Sequence, residues 1–217
     1  MWSACSRPHR TDTAGGRRRP PLPAHSLIRL PGVRRSLATS AAVLVTVDLI
    51  YTMLPLWAAE RGVSPGVLGA LLALRAAVSV LSRLALERIV NRIGVRVVLG
   101  TALLLGVTAL VLLAFAPTWT AWPALTLLGV ALGAPQPITL AWTISLVPPT
   151  EHGAVLGVRH WINRTGQVIL PLAAGAVLAP AGFPGFAVLN AGLLAGAVYL
   201  VGTAEFPDGR LPRFEED

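Results

Sequence analysis

A chain of 217 residues in which 54% are hydrophobic and only 13% are charged cannot cover itself with polar surface, since soluble domains carry about 25% charged residues. The net charge of +8 does not indicate nucleic-acid binding, because the 18 basic residues, all of them Arg, fall in short clusters between long apolar runs. A single Cys excludes an internal disulfide framework, and no His/Cys spacing predicts a metal site or another cofactor. The composition therefore predicts an integral membrane protein.

The chain begins with a basic, Pro- and Arg-rich segment, residues 1–36, which we expect to be an unstructured cytoplasmic tail. A secretory signal peptide would place an apolar core within about the first 15–30 residues. This segment instead reads Arg17-Arg18-Arg19-Pro20-Pro21. We therefore interpret it as a tail that precedes the first membrane span.

Six apolar stretches follow, and each is long enough to cross a bilayer as a helix, which takes about 20 residues. They cover residues 37–58, 66–85, 97–116, 121–146, 154–179 and 183–204. The joints between them are short, so that neighbouring helices must run antiparallel. The predicted fold class is all-α, a polytopic six-helix transmembrane bundle over residues 37–204, with a cytoplasmic tail at 205–217.

The Arg residues predict the orientation of the bundle. They cluster before the first span, after the second, at the start of the fifth and after the sixth, which all fall on one side of the membrane if there are six spans. The opposite side holds only Arg61. By the positive-inside rule we expect both termini to be cytoplasmic. Trp57, Trp119 and Trp122 fall at the outer interface, where aromatic anchors are expected.

Two ionisable residues lie near the middle of the membrane, Asp48 in the first span and Arg75 in the second. A charge at the bilayer centre costs about 2.5–3.5 kcal/mol, so such groups normally face the protein interior and find a partner. We expect both side chains to face inwards, with mutual pairing as one arrangement. They serve either as an ion pair that fixes helix register or as part of a proton or substrate pathway. We also assign Asn190, an uncharged polar residue of the sixth span, to this pathway on weaker grounds.

The fifth span carries a polar stripe of Arg159, Asn163 and Gln167 at i, i+4 and i+8, with Arg164 beside it. These residues share one face of the predicted helix, in its cytoplasmic half. One interpretation is that they reach the interface and hydrogen-bond to neighbouring helices. The other is a cytoplasmic gate or substrate vestibule.

The fourth span carries Gly129, Gly133, Pro135, Gln136 and Pro137. Small residues four apart allow two helices to approach closely. The two prolines remove backbone donors and are expected to bend the helix. We predict helix packing for the glycines and a cavity-lining position for Gln136.

These features together resemble the C-terminal six-helix half of a major facilitator superfamily (MFS) transporter. The joint after the second span resembles the loop signature of that family, Gly-x-x-x-Asp-Arg-x-Gly-Arg-Arg. It reads Glu87-Arg88-Ile89-Val90-Asn91-Arg92-Ile93-Gly94-Val95-Arg96, in which Arg92, Gly94 and Arg96 match the signature and Glu87, Asn91 and Val95 depart from it. Residues 132–137 and 153–175 look like the tenth and eleventh helices of such transporters.

The resemblance implies a secondary active transporter of small solutes in the plasma membrane of a bacterium. We expect coupling to protons through Asp48, since carboxylates in membrane spans commonly serve as relays. We expect no enzymatic activity, because the sequence offers no convergent set of acids, bases or metal ligands. The full form of such a transporter has two six-helix halves with the solute site between them. This chain would then be a truncated product, or would work as a parallel homodimer or with a partner half. The resemblance implies gating for Glu87, Arg88, Asn91, Arg92, Gly94 and Arg96, and we add Arg159 and Arg164 from the fifth span. A non-transporting membrane subunit that stabilises or regulates a partner is the alternative.

Overall fold

A computed structural model describes residues 24–178, 182–204 and 206, and these residues form α-helices with no strand among them. The helices are α1 (Ala24–Arg29), α2 (Pro31–Glu60), α3 (Pro65–Ile93), α4 (Val95–Phe115), α5 (Ala121–Gly133), α6 (Pro135–Ser145), α7 (His152–Leu178) and α8 (Gly182–Gly202). Short 3-10 turns at Thr118–Thr120 and Pro149–Glu151 precede α5 and α7. The predicted all-α polytopic fold is confirmed.

Five segments in the described part of the chain are long and apolar enough to cross a membrane: α2, α3, α4, the α5–α6 pair and α8. The remaining predicted span, α7, is a helix of 27 residues and so has the length to cross. It is not among the five apolar segments. Its polar residues Arg159, Asn163 and Arg164 lie in the first half of the helix.

Hydrogen bonds between helix ends show how the bundle is arranged. Arg35, near the start of α2, donates to the carbonyl of Thr203 just after α8, at 2.6 Å. Trp57, near the end of α2, donates its indole N–H to the carbonyl of Leu113 near the end of α4, at 3.0 Å. The starts of α2, α4 and α7 and the ends of α3, α6 and α8 therefore share one end of the bundle, which we call the arginine-rich end.

The opposite end is held by two side chains from the end of α2. Trp57 is 1% exposed and packs on Phe183 of α8. It therefore belongs to the core, whereas we predicted a surface anchor. Arg61 donates to the carbonyls of Ala114 and Ala116 at 3.0 and 2.7 Å. These carbonyls have no partner inside α4 because the helix ends there. Arg61, the only described Arg at this end, therefore caps a helix.

The joint between α3 and α4 differs from the prediction. We expected a loop over residues 87–96, but α3 continues to Ile93 and α4 begins at Val95. Only Gly94 separates them, with a φ of +85° that an L side chain rarely adopts. The helix continues to Ile93, and no loop forms, because the joint contains no helix breaker before Gly94. Most of the family-signature residues thus lie on the last turns of α3.

The predicted N-terminal tail is also partly helical. Residues 24–29 form α1, and α2 begins at Pro31, six residues before the predicted span. Val33 and Leu37 of α2 pack with Val155 and Val158 of α7 in a small core of their own. This packing extends the helix beyond the predicted start. Residues 1–23, and all of the C-terminal tail except Phe206, lie outside the described residues.

The fourth span is divided into α5 and α6 at Ala134, as the two prolines predicted. Pro135 and Pro137 have no N–H to donate to the preceding turn, which leaves the carbonyls of Ala131 and Gly133 without their helical partners. The two parts pack on different neighbours: α5 lies against α3 and α4, and α6 lies against α2.

Gly129 and Gly133 form the contact between α5 and α3. A Cβ at Gly129 would lie 2.8 Å from the carbonyl oxygen of Arg75, and a Cβ at Gly133 would lie 2.8 Å from that of Ser79. In lipid, helices associate mainly through such close packing, because the hydrophobic effect does not favour helix–helix over helix–lipid contact. The predicted packing role of the two glycines is confirmed.

We expect Gly133→Ala to destabilise the bundle by about 1–3 kcal/mol, because the added methyl group must push two backbones apart. Thermal unfolding of the purified protein in a mild detergent measures the effect. Gly192→Ala in α8 is the matched control, since a Cβ there meets nothing within 4 Å. Equal melting temperatures for the two variants would contradict the close α3–α5 contact.

Candidate functional site

A groove of about 460 Å³ opens on one side of the bundle, towards the arginine-rich end. It lies between α2, α3, α6 and α7, and its lining comprises Leu44, Arg83, Leu86, Gln136, Pro137, Leu140, Arg159, His160, Asn163, Arg164 and Gln167. Five of the predicted site residues meet here: Gln136, Asn163, Gln167, Arg159 and Arg164. The polar stripe predicted on the fifth span therefore faces a cavity shared by four helices.

Arg159 is the most buried charged group of the groove, at 8% exposed. Its Nε donates to the Ser40 hydroxyl of α2 at 2.9 Å, and its Nη2 donates to the Thr139 hydroxyl of α6 at 3.1 Å and to the Gln136 carbonyl at 3.4 Å. All three acceptors are neutral. One guanidinium group therefore joins α7 to α2 and α6, and its positive charge meets no carboxylate among these contacts.

Further hydrogen bonds extend this polar contact between α2 and α6. The hydroxyls of Ser36 and Thr143 lie 2.5 Å apart, and Ser36 also donates to the Thr139 carbonyl at 3.2 Å. Asn163 of α7 donates to Ser40 at 3.5 Å. Interhelical hydrogen bonds of this kind fix the helices against each other inside a membrane. Side-chain contacts among three helices thus hold two of the lining residues, Arg159 and Asn163, in place.

Arg83 lines the groove from α3. Its Nε donates to the carbonyl of Gly133 at 3.3 Å, and its Nη2 donates to the side-chain oxygen of Gln136 at 3.3 Å. The Gly133 carbonyl is available because Pro137, its partner in a regular helix, has no N–H. The proline break in the fourth span therefore creates the acceptor that holds this Arg.

The two predicted mid-membrane charges do not pair with each other. Arg75 is 5% exposed and faces inwards as predicted, but its partner is Tyr51, to whose hydroxyl it donates and over whose ring its guanidinium lies 4.4 Å from the centroid. Asp48 is half-buried, and its carboxylate has no hydrogen bond or ion pair within the described residues. Tyr51 lies one turn beyond Asp48 on α2 and reaches Arg75 in its place.

Asp48 shares a helix face with the groove. Leu44, which lines the groove, precedes Asp48 by one turn on α2, and Tyr51 follows it by a further turn. These three residues define a path along one face of α2, from the arginine-rich end towards Arg75. Asp48 lies between the groove and the Tyr51–Arg75 pair on this path.

The remaining predicted site residues lie away from the groove. Asn190 is fully buried in α8, where its side-chain amide donates to the Phe186 carbonyl at 3.2 Å. Arg96 donates to the carbonyl of Gly202 and so caps the end of α8. Of the other family-signature residues, Glu87, Arg88, Asn91 and Arg92 are exposed on the last turns of α3, and Gly94 forms the joint to α4. Their gating role stays a prediction.

Several residues of the site were not predicted, among them Arg83, Ser40, Thr139 and Tyr51. Arg83 was counted only among the arginines that set orientation. Arg75, Ser79 and Arg83 lie at i, i+4 and i+8 and so form a polar stripe on α3. This stripe would have identified Arg83 as a candidate site residue. Ser40 and Thr139 carry no such signal, because an isolated hydroxyl in a span usually bonds to its own helix.

The family model described as Major Facilitator Superfamily matches residues 37–216, most of the chain. The chain belongs to the major facilitator superfamily. It is thus a multi-pass membrane protein of a family of solute transporters rather than enzymes. A search of curated proteins found no match. In the described part of this MFS chain, no three His, Cys, Asp or Glu side chains are grouped so that they could hold a metal ion.

Proposed function

We propose that this MFS chain is one six-helix bundle of a secondary active transporter, and that the groove is its share of the solute pathway. The observation that supports this most directly is the position of the polar groups. Arg83, Gln136 and Arg164 lie along an open groove on one side of the bundle and are not enclosed within it. Polar residues so placed in a membrane are suited to a solute pathway.

The proposal requires a second bundle over the groove. Exposed to lipid, Asp48 and Arg83 would each be costly, and a facing bundle removes that cost. In α3 only 11% of the most apolar window is buried within this chain, which leaves a long face for such a contact. The two halves of an MFS transporter are related by an axis along the membrane normal, so a parallel copy of this chain can supply the second bundle without inversion. A separate partner half is the other source.

We place the arginine-rich end in the cytoplasm and the bundle in the plasma membrane. The positive-inside rule supports this orientation, because Arg34, Arg35, Arg88, Arg92 and Arg96 all belong to that end. The groove then opens towards the cytoplasm.

We assign proton coupling to Asp48. Its half-buried carboxylate has no partner among the described residues, and it lies between the groove and the Tyr51–Arg75 pair.

The helices around Asp48 carry several other titratable or charged groups. They are Tyr51 on the same helix, Arg75 and Arg83 on α3, and Arg159, His160 and Arg164 on α7. On α6 and α8 the only titratable side chain is Tyr199, which is 71% exposed. Asp48 is therefore the only described carboxylate suited to carry a proton along this path.

Pairing is tested by crosslinking in membranes. Val80→Cys on the exposed face of α3, in a Cys5→Ser background, is expected to give a crosslinked dimer with a bismaleimide when only this chain is expressed. Tyr199→Cys is the matched control, because Tyr199 is exposed on α8 and lies outside the groove. This variant should stay monomeric. Monomer alone from both variants would contradict the homodimer.

Transport is tested with the purified chain in liposomes loaded with a pH-sensitive dye. Addition of a transported solute is expected to change the internal pH. If no solute in a broad panel does so, although crosslinked dimers form, the chain is better described as a non-transporting membrane subunit.

A further inference from the structure

Among the described residues, the charged side chains that line the groove are all basic. Arg83, Arg159 and Arg164 line it, and none of the described acidic residues does. Those acidic residues are Asp48, Glu60, Glu87 and Glu151. His160, also in the lining, adds a further positive charge when it is protonated.

Neutral acceptors position all three guanidinium groups. Arg159 bonds to two hydroxyls and a carbonyl, Arg83 to a carbonyl and an amide oxygen, and Arg164 to the amide oxygen of Gln167 at 3.2 Å. These bonds orient the guanidinium groups but leave their charges uncompensated. At membrane depth an uncompensated charge is unfavourable, and an anion that enters the groove offsets that cost.

We infer that the groove binds a small organic anion, a carboxylate or a phosphate monoester, and this inference names the solute class of the transporter proposed above. Guanidinium groups suit such ligands because they donate paired hydrogen bonds to two oxygens of one anionic group. Nη1 of Arg159 makes no hydrogen bond to the described residues and is available to the ligand. Leu44, Leu86 and Leu140 line the same groove and accommodate an apolar body. Its volume of about 460 Å³ is within the range of small-molecule sites.

The potential in the groove is measured first, without any ligand. Leu140→Cys in a Cys5→Ser background places one thiol in the lining. In neutral detergent we expect it to favour an anionic over a cationic methanethiosulfonate reagent about tenfold more than a thiol at Thr118→Cys, which lies at the opposite end. Adding Arg159→Gln or Arg164→Gln should each reduce this preference severalfold. Equal preferences at the two positions would overturn the inference.

Ligand binding is then measured as protection of Leu140→Cys from uncharged N-ethylmaleimide. Benzoate, succinate and glucose 6-phosphate are the anionic probes, with choline and glucose as controls. We expect at least one anion to slow labelling severalfold at millimolar concentration, and neither control to do so. Arg164→Gln, an exposed position, should weaken protection without loss of folding. Protection by choline, or by none of the probes, would overturn the inference.

An anionic lipid headgroup has the same chemistry as these solutes. Repeating the protection assay in liposomes of phosphatidylcholine alone and with added phosphatidylglycerol separates the two sources. A solute site gives solute protection in pure phosphatidylcholine, whereas protection by phosphatidylglycerol and by no soluble anion would overturn the solute assignment. Neither assay needs transport or a second bundle. Anion protection without transport would therefore contradict the proposed function and leave the anion site intact.

Discussion

Asp48→Asn is expected to abolish uphill, pH-driven accumulation of solute while the protein still folds. The amide has a similar shape but cannot bind and release a proton. A gradient of one pH unit is worth about 1.4 kcal/mol, which sustains about tenfold accumulation by a one-proton transporter. In the variant this ratio should fall to one, because nothing links solute movement to the gradient. Uptake by proteoliposomes under an imposed pH gradient measures the ratio.

Two further variants separate coupling from general damage. Asp48→Glu keeps the carboxyl group and should retain most of the accumulation. Glu60→Gln removes an exposed carboxylate at the far end of the same helix and should leave the ratio unchanged. Exchange of solute across the membrane at equal pH should persist in Asp48→Asn, since the Arg-lined groove is intact. Undiminished accumulation by Asp48→Asn would remove Asp48 from the coupling mechanism.

Arg159→Ala is expected to destabilise the bundle by about 3 kcal/mol. The substitution removes three hydrogen bonds from a buried guanidinium group to α2 and α6. Hydrogen bonds that involve a charged group contribute about 1.5–3 kcal/mol each, and relief of the buried charge offsets part of their loss. Thermal unfolding in detergent, followed by tryptophan fluorescence, measures the change.

Arg164→Ala is the matched control for Arg159→Ala, because both arginines belong to α7 and line the same groove. Arg164 is exposed and bonds only to Gln167 of its own helix. We expect its loss to change stability by less than about 1 kcal/mol. Similar losses of stability in the two variants would show that Arg159 does not hold α7 in place.

The fold class and the family resemblance were predictable from sequence, and so were the membrane helices apart from their ends. Apolar runs of about 20 residues must form helices in lipid, so composition alone predicts them. The break at Pro135 and Pro137 and the close packing of Gly129 and Gly133 were predictable for the same reason, since each depends on one residue type. The α3–α4 joint was not, because family resemblance suggested a loop where the local sequence continues a helix to Gly94.

The site was predicted only in part, and the reason is geometric. Spacing along α7 identified Arg159, Asn163, Arg164 and Gln167, because one helix face is a property of one segment. Tyr51 as the partner of Arg75 depends on how α2 and α3 lie beside each other. Depth in the membrane alone suggested Asp48.

Residue order is enough to establish a polytopic helical bundle with one arginine-rich end, since hydropathy and charge follow from it directly. Only the tertiary structure brought Arg83, Arg159 and Arg164 into one groove and separated Asp48 from Arg75. Both outcomes depend on which faces of different helices meet. The packing of small residues and the capping of free carbonyls decide which faces meet, and neither can be predicted from a single segment.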